Sequence, residues 1–161
     1  MIRPRRRRVP TALLPLPAKG RSLPAPRGRV LVVDADGDTR ELLSTILKTE
    51  GYDVTLAEDG AGAVAFHRAR PADVILMDLG LPERLGGGAI RELAAEFPDV
   101  VVVAMSGDAD SLWRDALAEA RAVGARLTLR KPIEPWLLLR ALEGLLAARR
   151  SLLDSRMHCS A

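Results

Sequence analysis

From residue 29 onward, short apolar runs alternate with longer segments in which apolar residues recur every three or four positions. RVLVV (29–33) is apolar on successive positions, as a strand covered on both faces must be. The next segment puts Leu42, Leu43, Ile46 and Leu47 at helical spacing and stops at Gly51, a helix ending of the common glycine type. DVTLA (53–57) predicts a second strand, Ala61 to Arg70 a helix, and DVILM (73–77) a third strand. A glycine-rich loop follows, then a helix from Ala89 to Glu96, closed by Pro98. VVVVAM (100–105), the most apolar and β-branched run, belongs in a central or next-to-central strand. Ser111 to Val123 predicts a helix ending at Gly124, RLTLR (126–130) a fifth strand, and Pro135 to Ala148 a last helix whose proline sits in the first turn.

Five such βα units in residues 29–148 predict an α/β domain: a flavodoxin-like (βα)5 doubly wound sheet of five parallel strands in the order 2-1-3-4-5. In such sheets ligands bind outside the carboxyl ends of the strands. The residues just past those ends are Asp34, Ala57 with Glu58, Asp78, Ser106 and Lys131.

Asp34 and Asp78 are expected to face each other across adjacent strands, and two carboxylates held close repel unless a cation stands between them. Mg²⁺ suits such a pair because it keeps several waters and needs only one or two carboxylates. Lys131 supplies a point charge for a phosphate, and Ser106 a hydroxyl donor. Together these groups describe phosphoryl transfer, in which a carboxylate can itself be the nucleophile. Taken alone, Lys131 and Asp78 would read as a buried ion pair.

Charge divides the 161-residue chain more sharply than its net +3 suggests. Residues 1–28 hold eight Lys or Arg, six prolines and no acid; residues 29–148 hold thirteen basic residues against twenty acidic ones; residues 149–161 hold three against one. The arm has no hydrophobic period and is expected to be disordered. Its RPRRRR run suits nonspecific contact with nucleic acid, an anionic membrane or the acidic domain, and equally a solvated leader with no binding role. Residues 149–161 read as a flexible tail. No apolar run is long enough to span a bilayer, and the run from Val9 to Ala18 is broken by Pro10, Pro15 and Pro17, so neither a membrane anchor nor a secretory signal is expected. Cys159 is the sole cysteine, which excludes disulfides within the chain and makes the cytoplasm the expected location.

Four motifs carry a family resemblance: VLVVDADGDTRELL at the first strand, VILMDLGLPERLGG at the third, VVVVAMSGDAD at the fourth and GARLTLRKPI at the fifth. Residues 29–148 thereby resemble the receiver domain of two-component response regulators. The resemblance implies that Asp78 is the phosphoacceptor, Asp34 an acidic-pocket residue, and the Gly80 carbonyl a ligand of Mg²⁺ alongside Asp34 and Asp78. It further implies that Ser106 is the switch hydroxyl, Gly107 the small residue giving the phosphoryl group access, and Lys131 the site lysine, with Lys131-Pro132 a cis peptide. The implied function is to accept phosphate from a histidine kinase or phosphotransfer protein and signal by protein contacts. Enzymatic activity would extend no further than self-phosphorylation and autodephosphorylation.

Three departures bear on this. The second of the two adjacent acids usual after the first strand is replaced by Ala35, so Mg²⁺ binding should be weakened. The aromatic switch on the fifth strand is replaced by Thr128. The thirteen residues after Ala148 are too few for a DNA-binding fold, so a stand-alone receiver is expected. Two readings follow: a phosphorylatable receiver, favoured by Asp78, Ser106 and Lys131, and a pseudo-receiver that binds its partner without phosphorylation, favoured by Ala35 and Thr128. An aspartate-nucleophile phosphatase of the DxDGT type is a distant third, because Asp38 intrudes before Thr39. An EF-hand is excluded, because Thr39 and Thr45 stand where its Gly and Glu belong. Asp36 and Asp38 read as capping acids of the first helix.

On the last helix, Leu138, Leu142, Leu145 and Leu146 form a core stripe that leaves Trp136 and Leu137 outward. Receivers often dimerise or bind targets through helix 4, strand 5 and helix 5, so Trp136, Leu137 and Thr128, bordered by Trp113, are the expected interface, homodimeric or with another partner. A tail folded back over that face is the competing expectation. His67 and His158 read as surface residues, and Cys159 as an exposed thiol.

Overall fold

The computed structural model describes residues 25–81, 87–107 and 111–158, with side chains for all of these except 87, 111–116 and 156–158. Strands β1 (Arg29–Val33), β2 (Asp53–Ala57), β3 (Val74–Asp78), β4 (Val102–Ser106) and β5 (Leu127–Arg130) alternate with helices α1 (Gly37–Thr49), α2 (Gly60–Ala69), α3 (Gly87–Glu96), α4 (Ser111–Ala122) and α5 (Pro135–His158). The strands are all parallel, in the order β2-β1-β3-β4-β5. This is the flavodoxin-like arrangement expected from the chain's apolar rhythm, with the β-branched run at β4, next to the centre.

The strands are apolar throughout because helices cover both faces of the sheet, and successive residues enter opposite cores. Leu31, Val33, Ile75, Met77, Val102 and Ala104 pack on one side, against Val64, Ile90, Leu93 and Leu117 of α2, α3 and α4. Val30, Val32, Val74, Leu76, Val103 and Met105 pack on the other, against Leu43 and Leu47 of α1 and Leu138, Leu142 and Leu146 of α5. Burying a Leu or Ile side chain of this kind contributes about 1.5–3 kcal/mol, so a polar residue at any of these positions would be severe.

Local signals set the helix ends. Asp36 caps α1 by accepting from the Thr39 N–H at 3.0 Å, and Asp59 caps α2 by accepting from the Gly62 N–H at 2.6 Å. Gly51 and Gly124 follow α1 and α4 with φ of +84° and +126°, where a side chain would be strained.

Four expectations need correction. Leu42 is not on the core face of α1: the helix aims Leu43 and Leu47 at the sheet, which leaves Leu42 62% exposed. His67 is not at the surface. It lies one turn after Ala63 and Val64 on the buried face of α2, where its Nδ1 accepts the Ala72 N–H at 3.2 Å and its ring meets Phe97 edge-on at 4.6 Å. Burial, with Arg149 and Arg29 nearby, lowers its pKa. Third, α5 does not stop at Ala148 but continues to His158, and Arg149 pairs with Asp73 at 2.5 Å, so the first residue of the expected tail is tied to the sheet. Fourth, the domain begins before residue 29: the Arg27 N–H donates to Gly51 O, and its guanidinium pairs with Glu143 and lies 5.5 Å over the Tyr52 ring. The rest of the basic arm, residues 1–24, and Cys159 lie outside the described residues, as does the His158 side chain.

Candidate functional site at the carboxyl rim of the sheet

The strand register builds the site. Val33 aligns with Met77, so Asp34 and Asp78 leave β1 and β3 side by side. Asp78 aligns with Met105 and Ser106 with Arg130, so Ser106 and Lys131 each stand one residue further on as the sheet is crossed. Main-chain bonds from Leu79 N–H to Met105 O (2.8 Å) and from Lys131 N–H to Ser106 O (2.7 Å) extend the ladder to the rim.

The ammonium of Lys131 lies 2.5 Å from Asp34 Oδ2 and 3.0 Å from Asp78 Oδ1. Asp34 is 1% exposed and Asp78 8%, so two buried carboxylates share one ammonium. Burial alone would lower the lysine pKa, but the hydrogen bonds and charges of Asp34 and Asp78 outweigh it and the net shift is upward. Lys131 is therefore charged at neutral pH. The ion pair foreseen between Lys131 and Asp78 is present, but Asp34 takes the shorter contact.

The loop after β1 holds this geometry in place. Asp34 Oδ1 accepts the Asp36 N–H at 2.9 Å, and Arg40 donates from Nη1 to the main-chain carbonyls of Asp34 (2.6 Å) and Ala35 (3.1 Å). Asp36 stays on the exposed side; the Thr39 N–H bond holds its carboxyl below the usual range. It caps the helix. Gly80 leaves space that matters, since a Cβ there would stand 3.0 Å from Asp78 Oδ2. Gly107 is less constrained, because among the described residues a Cβ there would meet the Lys131 stem at 3.7 Å, an ordinary contact. Ser106 is buried at the end of β4, and Lys131-Pro132 is cis.

The expected interface residues fall on the α4-β5-α5 side. Trp136 is 63% exposed and Leu137 39%, while Thr128 is half-buried. The Trp113 side chain lies outside the described residues. The hydroxyl of Thr128 accepts from Arg121 Nη2 of α4 at 2.9 Å. Neither this bond nor the hold of Arg40 on the loop is foreseeable from sequence, since both depend on how long side chains lie.

Asp34, Asp78 and the Gly80 main chain supply the hard oxygen donors that Mg²⁺ prefers. Position 35, however, supplies only a methyl group, and among the described residues no three acidic, histidine or cysteine side chains gather as a metal cage. The donor chemistry thus fits a weakly held ion that keeps most of its waters.

The sequence matches the family model for the response regulator receiver domain over residues 30–143. The chain belongs to that family. It is 31% identical over 124 residues to Protein PilH of Pseudomonas aeruginosa, a match covering 74% of this chain and 98% of PilH. It is 33% identical over 109 residues to the DNA-binding response regulator MtrA of Mycobacterium tuberculosis, covering 68% of this chain and 46% of MtrA. The chain therefore spans nearly all of PilH but under half of MtrA. Among solved structures, chemotaxis response regulator CheY4 of Vibrio cholerae superposes with a TM-score of 0.65 at 28% identity, covering 73% of this chain and 97% of that one. A CheY-like receiver domain protein from Methanospirillum hungatei superposes at 0.71 with 24% identity, covering 76% and 96%, a likeness of fold. Among the described residues no helix is long and apolar enough to cross a membrane.

Proposed function

We propose that Asp78 accepts a phosphoryl group from a histidine kinase or phosphotransfer protein and that the protein signals the change through protein contacts. The observation that carries this reading is one ammonium joining two buried carboxylates at the rim, with a buried hydroxyl at the end of the neighbouring strand. In the transfer, one Asp78 oxygen attacks phosphorus, the bond from phosphorus to the donor's imidazole nitrogen breaks, and the imidazole leaves as the neutral base. Lys131 offsets the negative charge carried by the new acyl phosphate, Ser106 donates a hydrogen bond to a phosphoryl oxygen, and Gly80 keeps space beside Oδ2. Mg²⁺, where bound by Asp34, Asp78 and the Gly80 carbonyl, supplies further neutralisation of phosphoryl oxygens.

The output surface in this reading is the α4-β5-α5 side, with Trp136 and Leu137 as its apolar anchors, for a second copy or another target. The location is the cytoplasm, where such donors act. At that surface Thr128, standing where the family carries an aromatic ring, accepts a hydrogen bond from Arg121.

Incubation with Mg²⁺ and a small acyl-phosphate donor, followed by intact mass, tests the reading. Wild type should gain one phosphate and Asp78→Asn none; no gain in wild type at any Mg²⁺ concentration overturns it in favour of the pseudo-receiver that Ala35 suggests. Ala35→Asp should lower the Mg²⁺ needed. Light scattering of wild type and Trp136→Ala checks the surface, with loss of self-association or of partner binding expected in the variant.

A further inference from the structure

Asp34 is the most committed carboxylate of the rim. Both its oxygens are engaged, Oδ1 by the Asp36 N–H at 2.9 Å and Oδ2 by the Lys131 ammonium at 2.5 Å. The same ammonium reaches Asp78 Oδ1 at 3.0 Å. Next along the chain, Ala35 brings no side-chain oxygen, and the Arg40 guanidinium is anchored on the carbonyls at positions 34 and 35. Two cationic side chains from opposite ends of the domain's sequence therefore already stand around this acid. A divalent ion approaching Asp34 meets like charge from both and finds the carboxylate in use. Asp36 and Asp38, at the start of α1, draw cations toward the rim from the exposed side, but Asp36 spends one oxygen on its cap.

We propose that Lys131 is the resident counter-ion of the Asp34–Asp78 pair, that a divalent cation gains Asp34 only by displacing this ammonium, and that Arg40 opposes the exchange. Lys131 then has two stations. Without the ion it bridges both acids; with the ion it keeps Asp78 and gives up Asp34. The substitution at position 35 has a second consequence here, beyond the loss of a ligand: with fewer acids to attract the ion, the lysine wins the contest for Asp34 over a wider range of ion concentration. The inference rests on the placement of Lys131 in the rim described above, and not on phosphate acceptance by Asp78.

Calorimetric titration of the full chain with MgCl₂ at fixed ionic strength, with no phosphate donor present, tests it. Lys131→Gln should bind Mg²⁺ at least about tenfold more tightly than wild type, since a full charge beside the ion is removed. Arg40→Gln, a change on a half-exposed residue, should tighten binding by about two- to fivefold, the smaller effect reflecting solvent screening. Equal or weaker binding by Lys131→Gln overturns the proposal. Should that variant fail to fold, ¹³C and ¹⁵N resonances of wild type decide: the Asp34 carboxylate and the Lys131 ammonium should shift with one shared midpoint, and an unmoved Lys131 signal at saturation overturns the proposal. Because no phosphate is involved, failure here leaves the phosphoacceptor reading standing, and failure of phosphorylation leaves these titrations unchanged.

Discussion

The two rims of the sheet each carry a cluster of buried or half-buried charge, with opposite stoichiometry. At the carboxyl rim two acids, Asp34 and Asp78, share one ammonium. At the amino rim a single acid, Asp73, is held by two guanidinium groups, Arg149 at 2.5 Å and Arg29 at 3.8 Å, and also accepts the Arg29 main-chain N–H at 2.8 Å. Asp73 is fully paired and has nothing to gain from another cation. It fastens β1, β3 and α5 together, and beside it Arg27 bonds Glu143 and Glu50. At the carboxyl rim the two buried carboxylates are in direct ion-pair contact with one ammonium, one short of full pairing, because Arg40 beside them bonds main-chain carbonyls instead. A shortage of that kind costs stability, because buried acids repel, and it leaves room for a cation or for a reaction that consumes a carboxylate. A fully compensated cluster holds a fold, whereas an undercompensated one is a candidate for chemistry.

That contrast can be broken by mutation. The largest effect is expected for Lys131→Met, which leaves two buried carboxylates facing each other at a cost of about 3–5 kcal/mol, measured as a fall in urea midpoint at pH 7. Adding Asp34→Asn to it should recover much of that loss, because the repulsion goes with the charge. Strict additivity of the two changes would contradict the bridge. Asp73→Asn comes second, at about 1–2 kcal/mol, since both arginines can reach water, and it should leave phosphate uptake at Asp78 untouched.

A third test uses pH. His67 has its pKa lowered by burial, so the unfolded chain binds the proton more readily; the stability His67 contributes is present above the ordinary histidine value and is lost as pH falls from there through the lower folded value. Lys131 behaves oppositely: its pKa is raised, so the bridge is intact at neutral pH and is lost only as pH rises through that raised value. Mildly acidic solution should therefore weaken the fold through His67 while leaving Lys131 charged, and His67→Gln should flatten the stability slope on that side of neutrality. The smallest effect is expected for Thr128→Val, which removes one half-exposed hydrogen bond to Arg121 and should cost under about 1 kcal/mol in the same unfolding measurement.

Much of this was legible in the residues. The strands follow from apolar runs too continuous for a one-sided sheet and their order from the flavodoxin-like class of five βα units, and the carboxyl rim follows from topology, which sends Asp34, Asp78, Ser106 and Lys131 to one edge. What was hidden depends on side-chain reach. Lys131 lies nearer Asp34 than the expected Asp78, and no spacing rule specifies where a four-carbon stem will lie. His67 is an isolated histidine, and its burial is signalled in the sequence only by its i+4 and i+3 spacing from Ala63 and Val64. The continuation of α5 past Ala148 was hidden because the apolar stripe ends with Leu145 and Leu146, so residues 149–161 read as a flexible tail. In the fold Arg149 binds Asp73 and Arg150 donates to the Arg27 carbonyl, so both are fastened to the domain.

The central claim is that the undercompensated rim takes a phosphoryl group on Asp78, and its most direct test is to locate the group. After reaction with an acyl-phosphate donor, borohydride reduction converts an aspartyl phosphate to homoserine, which tandem mass spectrometry can place. The account predicts homoserine at position 78 alone. Homoserine at position 34, or at no aspartate when the donor and Mg²⁺ are both saturating, would contradict it.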